Sequence, residues 1–380
     1  MRRLLISATV LLALGGAFLV GSRMSANSRP TAAVAAPGVV DQVRTALADA
    51  YYRPVPDRVL RLASVRKMIS ALDDPYTVYL APSTYRLVRQ ETASTYSGIG
   101  AGVLPAGRKY VVVSLRSGPA LRAGVHVGDI IEESDGIDAS RLTMSGVVAR
   151  ILGRPGTVVH LAIDRSGRRL EVDVRRAMIH APAVTARLVS LAGRRWGVVH
   201  VTEFAVGTAV LLRREVGMLQ RQGAKGLVLD LRDDPGGLLT QAVTVPSAFI
   251  NRGVIVSLQG AHQPQQALRA IPGNVTHLPL VVRVDRYTAS AAEIVAAALR
   301  DHHRATIVGE RTFGKALVQA VDPLENGAAL KLSVAHYTTP SGEDLAGIGI
   351  TPQIRARDDP RTTEDEALAT ALNVLARPAS

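Results

Sequence analysis

The sequence predicts an α/β (α+β) protein of several domains. Three observations carry that prediction. From Val184 to Ile354 short apolar runs alternate with helical stretches, the pattern of a sheet covered by helices. From Glu91 to Met178 short strand-like segments are punctuated by glycine turns, the pattern of a small β-rich domain. Ahead of both, Val39 to Val88 is apolar at three- and four-residue spacing, the pattern of helices. A chain of 380 residues has room for two or three such units.

The chain opens with Arg2 and Arg3, then an apolar stretch from Leu4 to Val20, then Gly21, Ser22 and Arg23. Basic residues ahead of an apolar run have the form of an export signal. The stretch is shorter than the roughly 20 residues of a comfortable membrane span. Residues 1–22 therefore read as a cleaved signal peptide or as a signal anchor, with residues 4–20 as the membrane-seeking part. Ala33-Val34-Ala35 has the small-residue form of a cleavage site. Both readings place the rest of the chain outside the cytoplasm, in the periplasm or another extracytoplasmic space. Residues 23–37 read as a flexible linker.

Residues 38–90 form an expected helical module. Val43, Leu47 and Ala50 share one spacing, and Val59, Leu62, Val65, Met68, Ile69 and Leu72 continue it. Asp73-Asp74-Pro75 ends it. Residues 91–178 form the β-rich domain. Val111–Leu115, Asp129–Glu132, Val158–Ile163 and Leu170–Val174 read as strands, with turns at Gly128-Asp129, Gly153-Arg154-Pro155-Gly156 and Ser166-Gly167.

Residues 179–357 form the α/β core. Trp196–Val201, Gly226–Leu231, Leu280–Val284 and Ala305–Val308 are buried-strand candidates. Gly207–Gln222, Leu238–Phe249 and Ala291–Arg300 read as helices. Residues 358–380 form a tail with a helix around Glu364–Leu375.

Composition excludes several chemistries. There is no cysteine, so disulfides, thiolate zinc sites and a Cys nucleophile are ruled out. No His-Glu-x-x-His spacing and no Gly-x-x-x-x-Gly-Lys-Ser/Thr loop occurs, so no metal and no cofactor is expected. Net charge is +13, but no basic run interleaved with aromatics accompanies it, so no nucleic-acid partner is expected. Five of the 45 basic residues are lysines (67, 109, 225, 315 and 331) and the rest are arginine. Where a plain positive charge serves, this chain uses arginine.

The strongest local feature is the strand Leu280–Val284 running through Asp285-Arg286-Tyr287-Thr288-Ala289 to Ser290, with an Ala-rich helix behind it. Serine at a helix start is first of all a cap. It also stands beside the unpaired amides of the first helical turn, which face any developing oxyanion. Lys315, in Gly309–Lys315, sharpens the choice. Arginine cannot lose its proton in a protein, whereas a desolvated lysine can, so lysine is the long cationic side chain able to act as a base. Against this stands an ordinary surface lysine on a loop. A third feature is Leu231–Leu238, where Gly236 offers a bare backbone amide at a strand-to-helix turn. His180, His200, His302, His303 and His336 are candidates for a Ser–His pair, but no spacing singles one out.

Taken together, these segments resemble the carboxy-terminal processing peptidases, or tail-specific serine proteases, which embed a PDZ domain. The matching segments are Ala71–Leu80, Ser97-Gly98-Ile99-Gly100, Leu231–Leu239, Val284–Leu299, Gly309–Gln319 and His336–Gly342. The resemblance implies a ClpP/crotonase-like α/β protease core. It implies Ser290 as nucleophile, Lys315 as general base and Gln319 as the residue orienting the lysine, one helical turn later if that segment is helical. It implies the amides of Gly236 and Ala291 as an oxyanion hole, with Asp301 as a supporting member of the set. Two departures stand out: Asp234 occupies a position where the family usually has Asn, and Ala316 one where it has Gly.

The resemblance also implies that Ser97, Gly98, Ile99 and Gly100 form the carboxylate-binding loop of the PDZ domain, with Ile99 contributing to a pocket that prefers an apolar terminal residue. A free C-terminal carboxylate held by loop amides, with the tail added as a strand, suits that role. The implied partners are unfolded or membrane-tethered proteins with free C-termini. The terminal helices are candidate elements of a homodimer. Two rival functions share these sequence features: a non-catalytic PDZ adaptor on a degenerate protease core, and a carrier of apolar ligands.

Overall fold

A computed structural model describes residues 18–19, 38–91, 95–106, 109–115, 118–142, 144–180, 183–358 and 364–377. Most of the expected export signal and linker lie outside the described residues. Among the described residues, no helix is long and apolar enough to cross a membrane. The chain divides into two compact units, one from Arg86–Pro182 and one from Gly15–Tyr85 with Ala183–Ser380.

The first unit is the β-rich one. Strands β4 (Ala101–Ala106), β5 (Lys109–Leu115), β6 (Ile130–Ser134), β8 (Val158–Arg165) and β9 (Arg168–Arg175) form an antiparallel sheet in that order, with β7 (Ile137–Asp138) on β6. A separate antiparallel pair joins β3 (Thr95–Gly98) to β10 (Ala177–His180). In β8, Val159, Leu161 and Ile163 alternate inward, as a half-buried strand requires. They pack with Val112, Ile131, Val174 and, from helix Met144–Ile151, Val147 and Ile151.

The second unit carries two sheets. In the first, the order is β11 (Val184–Leu191), β12 (Arg194–Val201), β13 (Leu227–Asp230), β16 (Leu280–Val284), β17 (Thr306–Gly309) and β20 (Ile354–Arg355). All neighbours from β12 onward are parallel. Both faces are covered, which is why these strands read as continuous apolar runs. Helix α1 (Glu366–Ala376) lies on one face, where Leu368, Ala371, Leu372 and Leu375 meet Trp196, Val228, Val281 and Val308. On the other face lies the large core, which includes Ala291–Leu299 of helix α2 (Ala291–Asp301). That helix is alanine-rich because it is enclosed nearly all round. Val43, Leu47, Met68 and Leu72 of the N-terminal helical stretch join the same core.

The second sheet is less visible in the sequence. It runs β18 (Leu317–Pro323), β19 (Ala329–Thr338), β14 (Val254–Gly260) and β15 (Gln263–Arg269), with β1 (Phe18–Leu19) parallel to β18 and β2 (Val78–Leu80) on β19. Val78–Leu80 is thus strand where the helical spacing of Val39 to Val88 predicts helix. Likewise, Leu317–Pro323 is strand, so Gln319 does not lie one helical turn beyond Lys315. The segment pairs with β19 along its length, with a register shift at Val318/Gln319. That pairing overrides any local helical spacing.

Candidate active site

Parallel neighbours β13 and β16 end at the same edge of the sheet, so the loops that follow them meet there. The loop after β16 is closed by Asp285, whose carboxylate accepts the amides of Tyr287 and Thr288 at 3.0 and 2.9 Å. The Thr288 hydroxyl donates to the Leu231 carbonyl at 2.8 Å, and the Ala289 amide donates to the Asp234 carbonyl at 2.9 Å. The two loops are therefore tied together just before Ser290.

Ser290 sits at the start of α2 with φ 56° and ψ −114°. A residue with a Cβ adopts such a conformation only where its surroundings enforce it, and such strain collects at functional turns. Its side chain is fully enclosed. Gly236 lies directly against it: a Cβ there would stand 2.9 Å from both Ser290 Cβ and the Ala291 nitrogen. With φ at 102°, Gly236 is also in backbone space that favours glycine. The structure thus brings Ser290, Gly236 and Ala291 together.

Lys315 reaches the same neighbourhood on the loop between β17 and β18. It is 1% exposed. Burial pulls its pKa down to about 8, against an opposing pull from the charges of Glu293 and Asp74. Its ammonium nitrogen lies 4.9 Å from the centre of the Tyr76 ring. Tyr76 is placed by Asp74, which accepts the Tyr76 amide at 2.9 Å and the Thr77 hydroxyl at 2.6 Å. The turn that ends the helical stretch is therefore part of the lysine's surroundings.

Two residues to which the sequence reading gave no role fasten the site. Glu293 is buried, and its carboxylate accepts hydrogen bonds from the Ser290 amide (2.8 Å), the Lys315 amide (2.9 Å), the Gly314 amide (2.8 Å) and the Thr312 hydroxyl (2.5 Å). Burial nevertheless pushes its pKa up, against the pull of those donors. A signal for it was present in the sequence: Ser-x-x-Glu at a helix start is a capping pattern. Tyr337, buried on β19, donates its hydroxyl to the Lys315 carbonyl and lies 3.2 Å from the Ser290 carbonyl. No local spacing marks it, because it arrives from the second sheet.

The remaining candidates divide. Gln319 donates Nε2 to the Leu317 carbonyl at 3.1 Å, and its Oε1 is buried without a hydrogen-bond partner. Asp301 stands at the far end of α2, about 16 Å along the helix from Ser290. There it takes Arg300 Nε at 2.8 Å and the Ser341 amide at 3.0 Å. Burial pushes its pKa up, but these partners hold it below the ordinary range. His302 contacts the Val254 carbonyl and His336 pairs with Asp344. In the β-rich unit Ser97 is buried in β3, and Ile99 is enclosed in the unit's own core. Among the described residues, no group of acidic or histidine side chains is placed to hold a metal ion.

The profile of peptidase family S41 matches residues 195–356. The carboxy-terminal-processing protease of Bartonella bacilliformis is 36% identical over 326 residues, covering 83% of this chain and 73% of that protein. The carboxy-terminal processing protease CtpA of Bacillus subtilis is 33% identical over 309 residues, covering 80% of this chain and 66% of the relative. Among solved structures, the photosystem II D1 C-terminal processing protease superposes with a TM-score of 0.63 at 29% identity, over 87% of this chain and 95% of that one. The chain belongs to peptidase family S41, among the carboxyl-terminal processing serine peptidases.

Proposed function

We propose that Ser290 and Lys315 form a Ser–Lys catalytic pair that cleaves proteins near their C-termini. The observation that carries this reading is the Glu293 carboxylate, which holds the backbone amides of both residues at 2.8 and 2.9 Å. A base for a serine hydroxyl must be neutral, and enclosure favours neutral Lys315. Lys315 Nζ takes the Ser290 Oγ proton as Oγ attacks the scissile carbonyl. The amides of Gly236 and Ala291 receive the oxyanion. The lysine returns the proton to the leaving amine, and the C-terminal fragment departs. Water, losing its proton to Lys315, then releases the acyl group from Ser290.

The β-rich unit takes the part of a PDZ domain in this reading. The loop Ser97–Gly100 receives the substrate's terminal carboxylate, and the tail adds as a strand. The apolar stretch at residues 4–20 exports the chain or anchors it, which sets unfolded or membrane-tethered proteins beside it. Gln319 supports the lysine's loop rather than the proton path, since its Nε2 holds the Leu317 carbonyl.

The test uses an unstructured protein substrate with a free or an amidated C-terminus. Ser290→Ala and Lys315→Ala each lose at least about a thousandfold in kcat. Amidation raises KM with little change in kcat. Near-wild-type cleavage by either variant overturns the catalytic assignment, and indifference to amidation overturns the carboxylate reading.

A further inference from the structure

Asp234 is a buried acid that the reaction above leaves without work. It is 0% exposed. Its Oδ1 accepts the Gly236 amide at 2.8 Å, and its Oδ2 is enclosed without a hydrogen-bond partner. Its carbonyl holds the Ala289 amide, one residue before Ser290. The amide assigned to the oxyanion is thus the amide that Asp234 grips.

We propose that the Asp234 side chain sets whether the Gly236 amide can serve an oxyanion, which makes Asp234 a positioning residue for the reaction. The inference rests on the assignment of Ser290 and Gly236 just given. An ionised carboxylate with one short charge-assisted bond would hold that amide tightly and oppose a second negative charge beside it. A neutral acid is a weaker acceptor and carries no charge. Asn, usual here in the family that the sequence resembles, is neutral by construction.

The surroundings favour the neutral acid. Burial is the largest influence and pushes its pKa well up, and Glu203 and Asp285 push the same way. Glu203 precedes the Phe204 bridge to Gly237, and Asp285 belongs to the turn before Ser290. The neighbouring Asp233 is also raised, by burial and by Asp285. The nearby cations are engaged elsewhere: Arg232 with Asp230, Asp358 and Asp365, and Lys315 in the field of Glu293 and Asp74. Two opposed requirements follow. Lys315 must lose its proton for activity, whereas Asp234 must keep its own. On this proposal deprotonation of Lys315 raises activity, and ionisation of Asp234 lowers it.

The test compares wild type with Asp234→Asn, which keeps an Oδ1 acceptor but cannot ionise. kcat/KM is measured on one unstructured peptide from neutral to strongly alkaline pH. Asp234→Asn loses the alkaline fall: where the wild type has dropped tenfold, the variant stands at least fivefold above it, and the acid limb set by Lys315 is unchanged. Superimposable alkaline limbs overturn the proposal. A second measurement needs no turnover: infrared spectra of 13C-aspartate-labelled Ser290→Ala and Ser290→Ala/Asp234→Asn proteins. A protonated aspartic acid band at neutral pH that weakens when Asp234 is replaced supports the proposal; its absence, or identical bands in the two proteins, overturns it. Failure of the catalytic reading would show separately, as activity in Ser290→Ala.

Discussion

The carboxylate of Glu293 accepts the backbone amide of Lys315 at 2.9 Å and that of Ser290 at 2.8 Å, both on Oε2. One buried group therefore fixes the spacing of two loops that lie 25 residues apart in sequence. Glu293→Gln turns one accepting oxygen into a donor that faces donors. Each buried amide so orphaned costs about 1–3 kcal/mol. We expect a lower melting temperature and a kcat reduced at least tenfold. The charge of Glu293 also holds the Lys315 pKa up, against the larger effect of burial. Removing it moves the acid limb of the rate profile to lower pH. A limb that stays put, measured as kcat/KM against pH, contradicts this.

Lys315, the proposed base, is held in the folded protein at a cost in stability. Its pKa falls from 10.5 to about 8 on folding, chiefly by burial. Between those values the unfolded chain holds a proton that the folded chain does not, so stability rises with pH across that window. Below it the protein carries the full penalty, on the order of 3 kcal/mol. Lys315→Met therefore abolishes peptidase activity and raises stability at neutral pH, as read by urea denaturation. The gain shrinks as pH approaches 10.5. A variant less stable than wild type at neutral pH contradicts this account.

The parallel sheet was legible because its strands are short apolar runs between helices, as in Leu280–Val284, which the structure reproduces residue for residue. Gly226–Leu231 shortened only to Leu227–Asp230. The second sheet was not legible. Strand β19 alternates apolar and polar residues only over Leu330–Val334, the mark of a half-buried strand, whereas it is buried over most of its length, Lys331 and Ser333 included. Ser290 and Lys315 could be proposed from sequence because their residue types are chemically specific. Tyr337 could not, since its role depends on β19 passing beneath both loops. In the sequence Asp74 reads as a helix stop; its part in seating Tyr76 beside Lys315 needs the pairing of β2 with β19.

Gly236 is constrained twice. Its φ of 102° disfavours a side chain, and a Cβ would stand 2.8 Å from the Ala289 carbonyl oxygen and 2.9 Å from the Ala291 nitrogen. These are backbone atoms next to Ser290 and cannot swing aside. Gly236→Ala must therefore displace the amide proposed for the oxyanion. The loss of one such donor costs about a hundredfold to a thousandfold in kcat. We expect that loss with a smaller change in KM, measured on protein whose circular dichroism remains native. A kcat within threefold of wild type removes Gly236 from the oxyanion hole.

Asp365 provides a contrast, because the contacts it makes hold the fold together. Its carboxylate caps α1 by accepting the Leu368 amide at 2.7 Å, and it pairs with Arg283. Arg283 is 1% exposed in the middle of the parallel sheet and also meets Asp230 at 3.0 Å. Asp365→Ala removes a helix cap, worth about 1 kcal/mol. It also takes one of two acidic partners from a buried guanidinium, whose Nε already lacks a partner. Burial pushes the Asp365 pKa up, but Arg283 and the Leu368 amide hold it below 3.8. Its contribution is therefore complete above that value and fades as pH falls through the lowered pKa. Urea denaturation should show Asp365→Ala less stable than wild type at neutral pH, with the difference narrowing in acid and kcat at neutral pH little changed. A stability difference that widens in acid would mean that the pairing with Arg283 is not what the carboxylate contributes.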